Sequence, residues 1–151
     1  MPVRRKRRLI VVFDGAVARL LEQEPKGFRE IGTLKSDASH KPSREVFADR
    51  PTKGADRATG RRFGIQAKSD PQREAKREFA ASLAARLDAE ASGGKGLDGI
   101  VLVAAPRSLG DLRRCIGRPT MALVEAQFAK DLTKEPKLAL ANHLSRMLAA
   151  R

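Results

Sequence analysis

Leu9-Ile10-Val11-Val12-Phe13 is continuously apolar and rich in β-branched residues, the pattern of a strand covered on both faces. Asp14-Gly15 after it is a two-residue turn signal, and residues 16–21 read as the returning strand. Glu22 to Gly27 is polar punctuation. A third strand is expected over Phe28 to Leu34, where Phe28, Glu30 and Gly32 alternate with Arg29, Ile31 and Thr33. Three strands joined by short turns start the chain as an antiparallel sheet.

No period is sustained from Ser36 to Ser69, a segment holding Pro42, Pro51, Gly54, Gly60 and Gly64. A loop of that length is a functional or mobile segment, and proteolysis is expected to enter between about Lys41 and Lys68. It ends at a helix start, with Asp70 as cap and Pro71 in the first position. Ala75, Phe79, Leu83 and Leu87 then recur every fourth residue, with Ala80 and Ala84 beside them, which makes one apolar stripe. Gly93, Gly94 and Gly96 stop the helix. Asp98 to Ala105 contains the apolar run Ile100-Val101-Leu102-Val103, a buried strand parallel to the first. Ser108 to Ile116 reads as a short helix with Leu109, Leu112 and Ile116 inward, and Pro136 to Ala150 as a final helix. Between them, Thr120 to Phe128 fits strand or helix equally. The outcome is a single α/β domain, residues 9–151, with a mixed sheet flanked by helices, a basic tail at 1–8 and a long basic loop at about 36–69. Val11, Val103 and Leu83 are expected in one packed layer.

Charge changes this picture more than composition does. The 151 residues carry 31 Lys and Arg against 18 Asp and Glu, a net +13. Arg4, Arg5, Lys6, Arg7 and Arg8 supply five of these charges, and Lys41 to Arg77 holds eleven basic and five acidic residues. Such asymmetry suits a polyanion, since each phosphate neutralised releases counterions. A solvated face is the plain alternative, and an anionic membrane surface a less favoured one, because no long apolar helix face backs the basic runs. The five-residue apolar run at Leu9 is shorter than the core of a secretory signal, so a cytoplasmic location is expected. All six aromatic residues are Phe, which argues against a surface built on paired stacking aromatics.

Catalytic patterns are sparse. One cysteine and two histidines leave no ligand set for a structural metal, and neither metal nor cofactor is expected. Asp14 ends a strand where a two-metal nuclease would hold a carboxylate, with Glu74 or Glu78 as possible partners. The strand ending Val103-Ala104-Ala105-Pro106 offers no acid to complete that set, so Asp14 reads as a turn residue. Cys115, beside Leu112 and Ile116, is expected as a buried structural thiol. His143 is expected to be partly exposed, and His40 lies in the basic loop. Gly93-Gly94-Lys95-Gly96 follows a helix instead of opening one, unlike a phosphate-cradling loop.

Several segments recur together in a known order. They are Phe13-Asp14-Gly15-Ala16 with Ala18-Arg19-Leu20-Leu21-Glu22, Asp49-Arg50-Pro51, and Ser69-Asp70-Pro71 with Glu78-Phe79-Ala80. After them come Val101 to Arg107 with Leu109-Gly110 and Leu112, then Lys130-Asp131-Leu132-Thr133. The combination resembles the bacterial host attachment protein family from Leu9 onward. That family looks like a relative of the central domain of archaeal and eukaryotic peptide-chain release factors, which implies a ribonuclease-H-like topology. In that domain a basic loop before a long helix carries Gly-Gly-Gln, whose Gln acts at the peptidyl-tRNA ester. Here Gly64-Ile65-Gln66 stands at the comparable place, with Ile65 where the motif has glycine, and Gln66 is the one catalytic candidate.

The resemblance and the charge together imply an RNA- or ribosome-associated binding domain. The expected phosphate contacts are Arg4, Arg5, Lys6, Arg7, Arg8, Lys53, Arg57, Arg61, Arg62, Lys68, Arg73, Lys76 and Arg77. Peptidyl-tRNA ester hydrolysis through Gln66 is the enzyme alternative, and an attachment or surface-interaction role the third.

Overall fold

The computed structural model of the chain describes residues 6–36, 70–93 and 96–150. The first apolar run forms β1 (Arg7–Phe13), and Leu9 to Phe13 are buried throughout, as a run without alternation requires. β2 (Val17–Glu24) and β3 (Gly27–Lys35) complete an antiparallel meander. The long helix α1 (Pro71–Ser92) starts as its signals predict, with the Asp70 carboxylate accepting from the Gln72 amide at 3.0 Å and Pro71 beginning the first turn. β4 (Leu97–Val103) pairs with β1 in parallel, followed by α2 (Pro106–Cys115), the single turn α3 (Arg118–Met121), β5 (Val124–Phe128) and α4 (Lys137–Ala149). The strand order is β3-β2-β1-β4-β5, one five-stranded mixed sheet in an α/β domain. The ambiguous stretch at 120–128 is divided between the end of α3 and β5.

The sheet separates two apolar layers. On one face Leu9, Val11 and Phe13 of β1 meet Phe79, Leu83, Ala84 and Leu87 of α1 and Leu109 and Leu112 of α2. On the other, Ile10 and Val12 meet Val101, Val103 and the Leu140, Leu144 and Met147 face of α4. Alternation along each strand sends neighbouring residues to opposite layers. Val103 therefore packs under α4 and not with Leu83, which corrects the expectation of one shared layer. Val11 and Leu83 do share theirs.

The turns differ in detail from the sequence reading. The β1–β2 connection is three residues, 14–16, closed by the Asp14 amide donating to the Val17 carbonyl at 2.9 Å. Gly15 has no positive φ. The space above it is narrow: an added Cβ would come within 2.7 Å of the Lys76 Cγ, so a larger residue would have to displace the exposed lysine side chain that lies across the turn. β2 continues to Glu24, through the stretch expected as polar punctuation, since Glu22, Gln23 and Glu24 pair with Arg29, Phe28 and Gly27. Gly27, at φ +140°, adopts a backbone that other residues rarely reach. The loop expected to be mobile and protease-sensitive between Lys41 and Lys68 lies outside the described residues.

Candidate nucleic-acid interface

The basic residues have three different fates. β1 begins at Arg7, so Arg7 and Arg8 belong to the sheet instead of a tail ending at residue 8. Arg7 faces the same side as Leu9, toward the last turns of α1. Its guanidinium pairs with Glu22 at 2.6 Å and Glu90 at 2.9 Å, and its amide donates to the Asp98 carboxylate at 2.7 Å. The hydrogen bond from Arg7 holds the Glu90 carboxyl below its ordinary value of 4.5, outweighing partial burial, and Arg86 at 3.2 Å adds to the effect. Arg8, one residue on, faces the other side and binds Glu125 at 2.9 Å and Gln23 at 2.6 Å. A Cβ on Gly99 would overlap that Glu125 carboxylate. Both arginines are committed to internal partners, whereas Lys6 just before them is exposed.

A second group gathers at the opposite end of β1, about 20 Å away at the strand rise. Lys76 and Arg77 are exposed on the first turns of α1, with Arg77 3.7 Å from Glu74. Arg73 leans toward α2 and comes within 3.6 Å of Asp111. Asp111 is also held by Arg114 at 2.9 Å, and its side chain is only 7% exposed. The carboxylate thus ties the two helices together while adding little negative charge to the surface.

The third group was not singled out from sequence. Arg107, Arg113, Arg114 and Arg118 are all exposed along α2 and α3, away from the inward Leu109 and Leu112. The signal was present as the polar complement of that apolar spacing: Arg107 and Arg114 are seven apart, two turns along one helical side. Cys115 also differs from expectation, being exposed. It is the last helical residue, and at Ile116 the backbone becomes extended and turns away, leaving nothing to cover the thiol. A thiol reagent such as a nitrobenzoate disulfide is expected to label Cys115 at the same rate in native and unfolded protein. Strong native protection would contradict this placement.

Asp14 is a turn residue here. One carboxylate oxygen accepts from the Ala16 and Val17 amides, each at 2.8 Å, and the other from the Thr133 hydroxyl at 3.1 Å. Thr133 is also 3.1 Å from Asp131. Arg19 donates to the carbonyls of Thr133 and Glu135 while pairing with Glu30 at 3.0 Å. The first turn and the segment leading into α4 are thereby latched across 119 positions of sequence. Glu74 and Glu78 are exposed on α1, and among the described residues no three His, Cys, Asp or Glu side chains form a group suited to a metal ion. His143 is partly exposed and lies 3.6 Å from Glu135.

Arg4, Arg5, Lys53, Arg57, Arg61, Arg62, Gln66 and Lys68 lie outside the described residues, as does His40. No helix among the described residues is long and apolar enough to cross a membrane. No curated protein matches the chain. A family model described as "Protein required for attachment to host cells" matches residues 9–144, from the first buried strand into the last helix, and the chain belongs to that host attachment family.

Proposed function

We propose that this host attachment family protein is an RNA- or ribosome-associated binding domain of release-factor-like character, contacting phosphates along the α1–α2–α3 side. The observation that carries this reading is the contrast in arginine environments. Arg7 and Arg8 are held by sheet and helix acids with their side chains largely covered, while Arg107, Arg113, Arg114 and Arg118 are exposed along α2 and α3, Arg114 remaining 70% exposed although Asp111 pairs with it. In sequence, Lys68 precedes the first residue of α1 by three positions, so the basic segment is tethered at the same helix start. Exposed cations without a base-reading motif select backbone and shape over sequence.

Affinity for single-stranded RNA is expected to fall steeply with salt, with a log–log slope near −0.7 per phosphate neutralised. Replacing Arg107, Arg114 and Arg118 by Ser together should flatten the slope by about two units, and so should replacing Arg61, Arg62 and Lys68. Arg7→Met should leave the slope unchanged. Heparin is the control for charge alone. RNA binding no tighter than heparin, with unchanged slopes in both triple variants, overturns the proposal. Release of the peptidyl group from peptidyl-tRNA, abolished in Gln66→Ala, would move the assignment to the hydrolase. In this reading, attachment to host cells is an indirect outcome of RNA binding. Recovery of the protein in the extracellular fraction would favour a direct surface role instead.

A further inference from the structure

α4 covers the sheet face that carries Ile10, Val12, Leu21, Val101 and Val103, and at the edge of that layer Phe128 of the outer strand β5 is packed against it but only partly buried. Between that strand end and the flank of α4 lies a depression of about 500 Å³, lined by Phe128, Lys130, His143, Arg146, Met147 and Ala150. Its lining combines an aromatic ring, a thioether and two permanent cations, and includes no acid. Of the neighbouring carboxylates, Glu135 is turned to His143 at 3.6 Å and Asp131, next to Lys130 in the chain, accepts from the Thr133 hydroxyl at 3.1 Å. Lys130 and Arg146 are exposed and make no ion pair among the described residues.

An apolar floor beside uncompensated cations is complementary to a ligand with a flat apolar body and an attached anion. We propose that this depression takes one unpaired nucleotide of an RNA strand, its base against Phe128 and Met147 and its phosphate held by Lys130 and Arg146. The proposal rests on the RNA reading above and adds to it a site remote in sequence from the basic segments. A base inside a duplex has both faces stacked on its neighbours, so only an unpaired base reaches the Phe128 ring. The site has a single phenyl ring, Phe128, with the His143 imidazole at its side, which suits a single base and not a stacked run.

The test is amide-resolved NMR of the full chain titrated with adenosine 5′-monophosphate and, separately, with inorganic phosphate. The nucleotide is expected to shift residues 128–130 and 143–147 and to bind at least about fivefold more tightly than phosphate, the lower end of what base–aromatic stacking contributes. Phe128→Leu should weaken the nucleotide by a similar factor while leaving phosphate affinity unchanged. Lys130→Ala with Arg146→Ala, a pair of surface changes that spares the core, should weaken both ligands. Nucleotide shifts confined to α2 and α3, or nucleotide affinity unchanged within twofold in both variants, overturn the site. So does displacement of the nucleotide by an acidic peptide at lower concentration, which assigns the groove to a protein tail. The broader RNA reading is decided separately by the salt slope of the α2–α3 variants, so either can fail while the other stands.

Discussion

Leu83→Ala is expected to lower unfolding free energy by roughly 2–5 kcal/mol, the range for truncating a fully buried leucine in a core that only partly relaxes. Leu83 is 0% exposed and sits between α1 and the sheet with Val11, Phe79 and Leu87. Val103 is equally buried, on the other face, among Ile10, Val12 and the α4 residues. Their separation makes a sharper test than either change alone. Leu83→Ala combined with Val103→Ala should be additive within about 0.5 kcal/mol, as expected of sites without shared partners. Leu83→Ala combined with Val11→Ala should depart from additivity, since those residues belong to one layer. Denaturant titration of the three single and two double variants supplies the comparison. Strong coupling across the Leu83–Val103 pair would contradict the two-layer arrangement.

Arg7→Met should cost about 1.5–3 kcal/mol near neutral pH, the scale of hydrogen bonds to charged groups in a partly buried setting. The variant leaves Glu22 and Glu90 close together without the cation that joins them. The pH dependence has a definite sign. Glu90 has its folded pKa depressed below 4.5, chiefly by the Arg7 hydrogen bond. Its contribution is therefore present above that value and lost as pH falls through the depressed one, where the folded carboxylate takes up a proton. The stability gap between wild type and Arg7→Met should be full at neutral pH and narrow in acid, as pH falls below 4.5 and through the depressed folded value. Urea titrations at neutral pH and in acid read it directly. A gap that stays constant or widens in acid would show that Arg7 acts through packing alone.

The arginines illustrate how far charge counting carries. A run of five basic residues at Arg4 to Arg8 looks uniform in sequence, yet β1 takes its last two members. Once there, alternation assigns Arg7 to the Glu22 and Glu90 side and Arg8 to Glu125. Those partners are 15, 83 and 117 positions away, beyond any local pattern. Conversely, Arg107 and Arg114 were legible as a polar helix side, but their exposure depends on what the neighbouring elements leave uncovered. Cys115 had apolar neighbours in sequence and none over its thiol, because the helix ends on that residue.

Local chemistry by itself determined where most elements begin and what type they are. Unbroken β-branched runs made buried strands, Asp70-Pro71 started α1, and a four-residue repeat gave that helix its apolar stripe. These signals act between near neighbours through backbone sterics, capping and amphipathic spacing, so no distant contact is needed to read them. The tertiary structure alone decided which layer each buried residue joins, which cations keep their charge at the surface, and that Asp14 is latched to Thr133. It also created the depression between β5 and α4, whose lining comes from two segments with no shared period. Layer, neutralisation and concavity depend on which distant segments face one another, and that is set by sheet order and register.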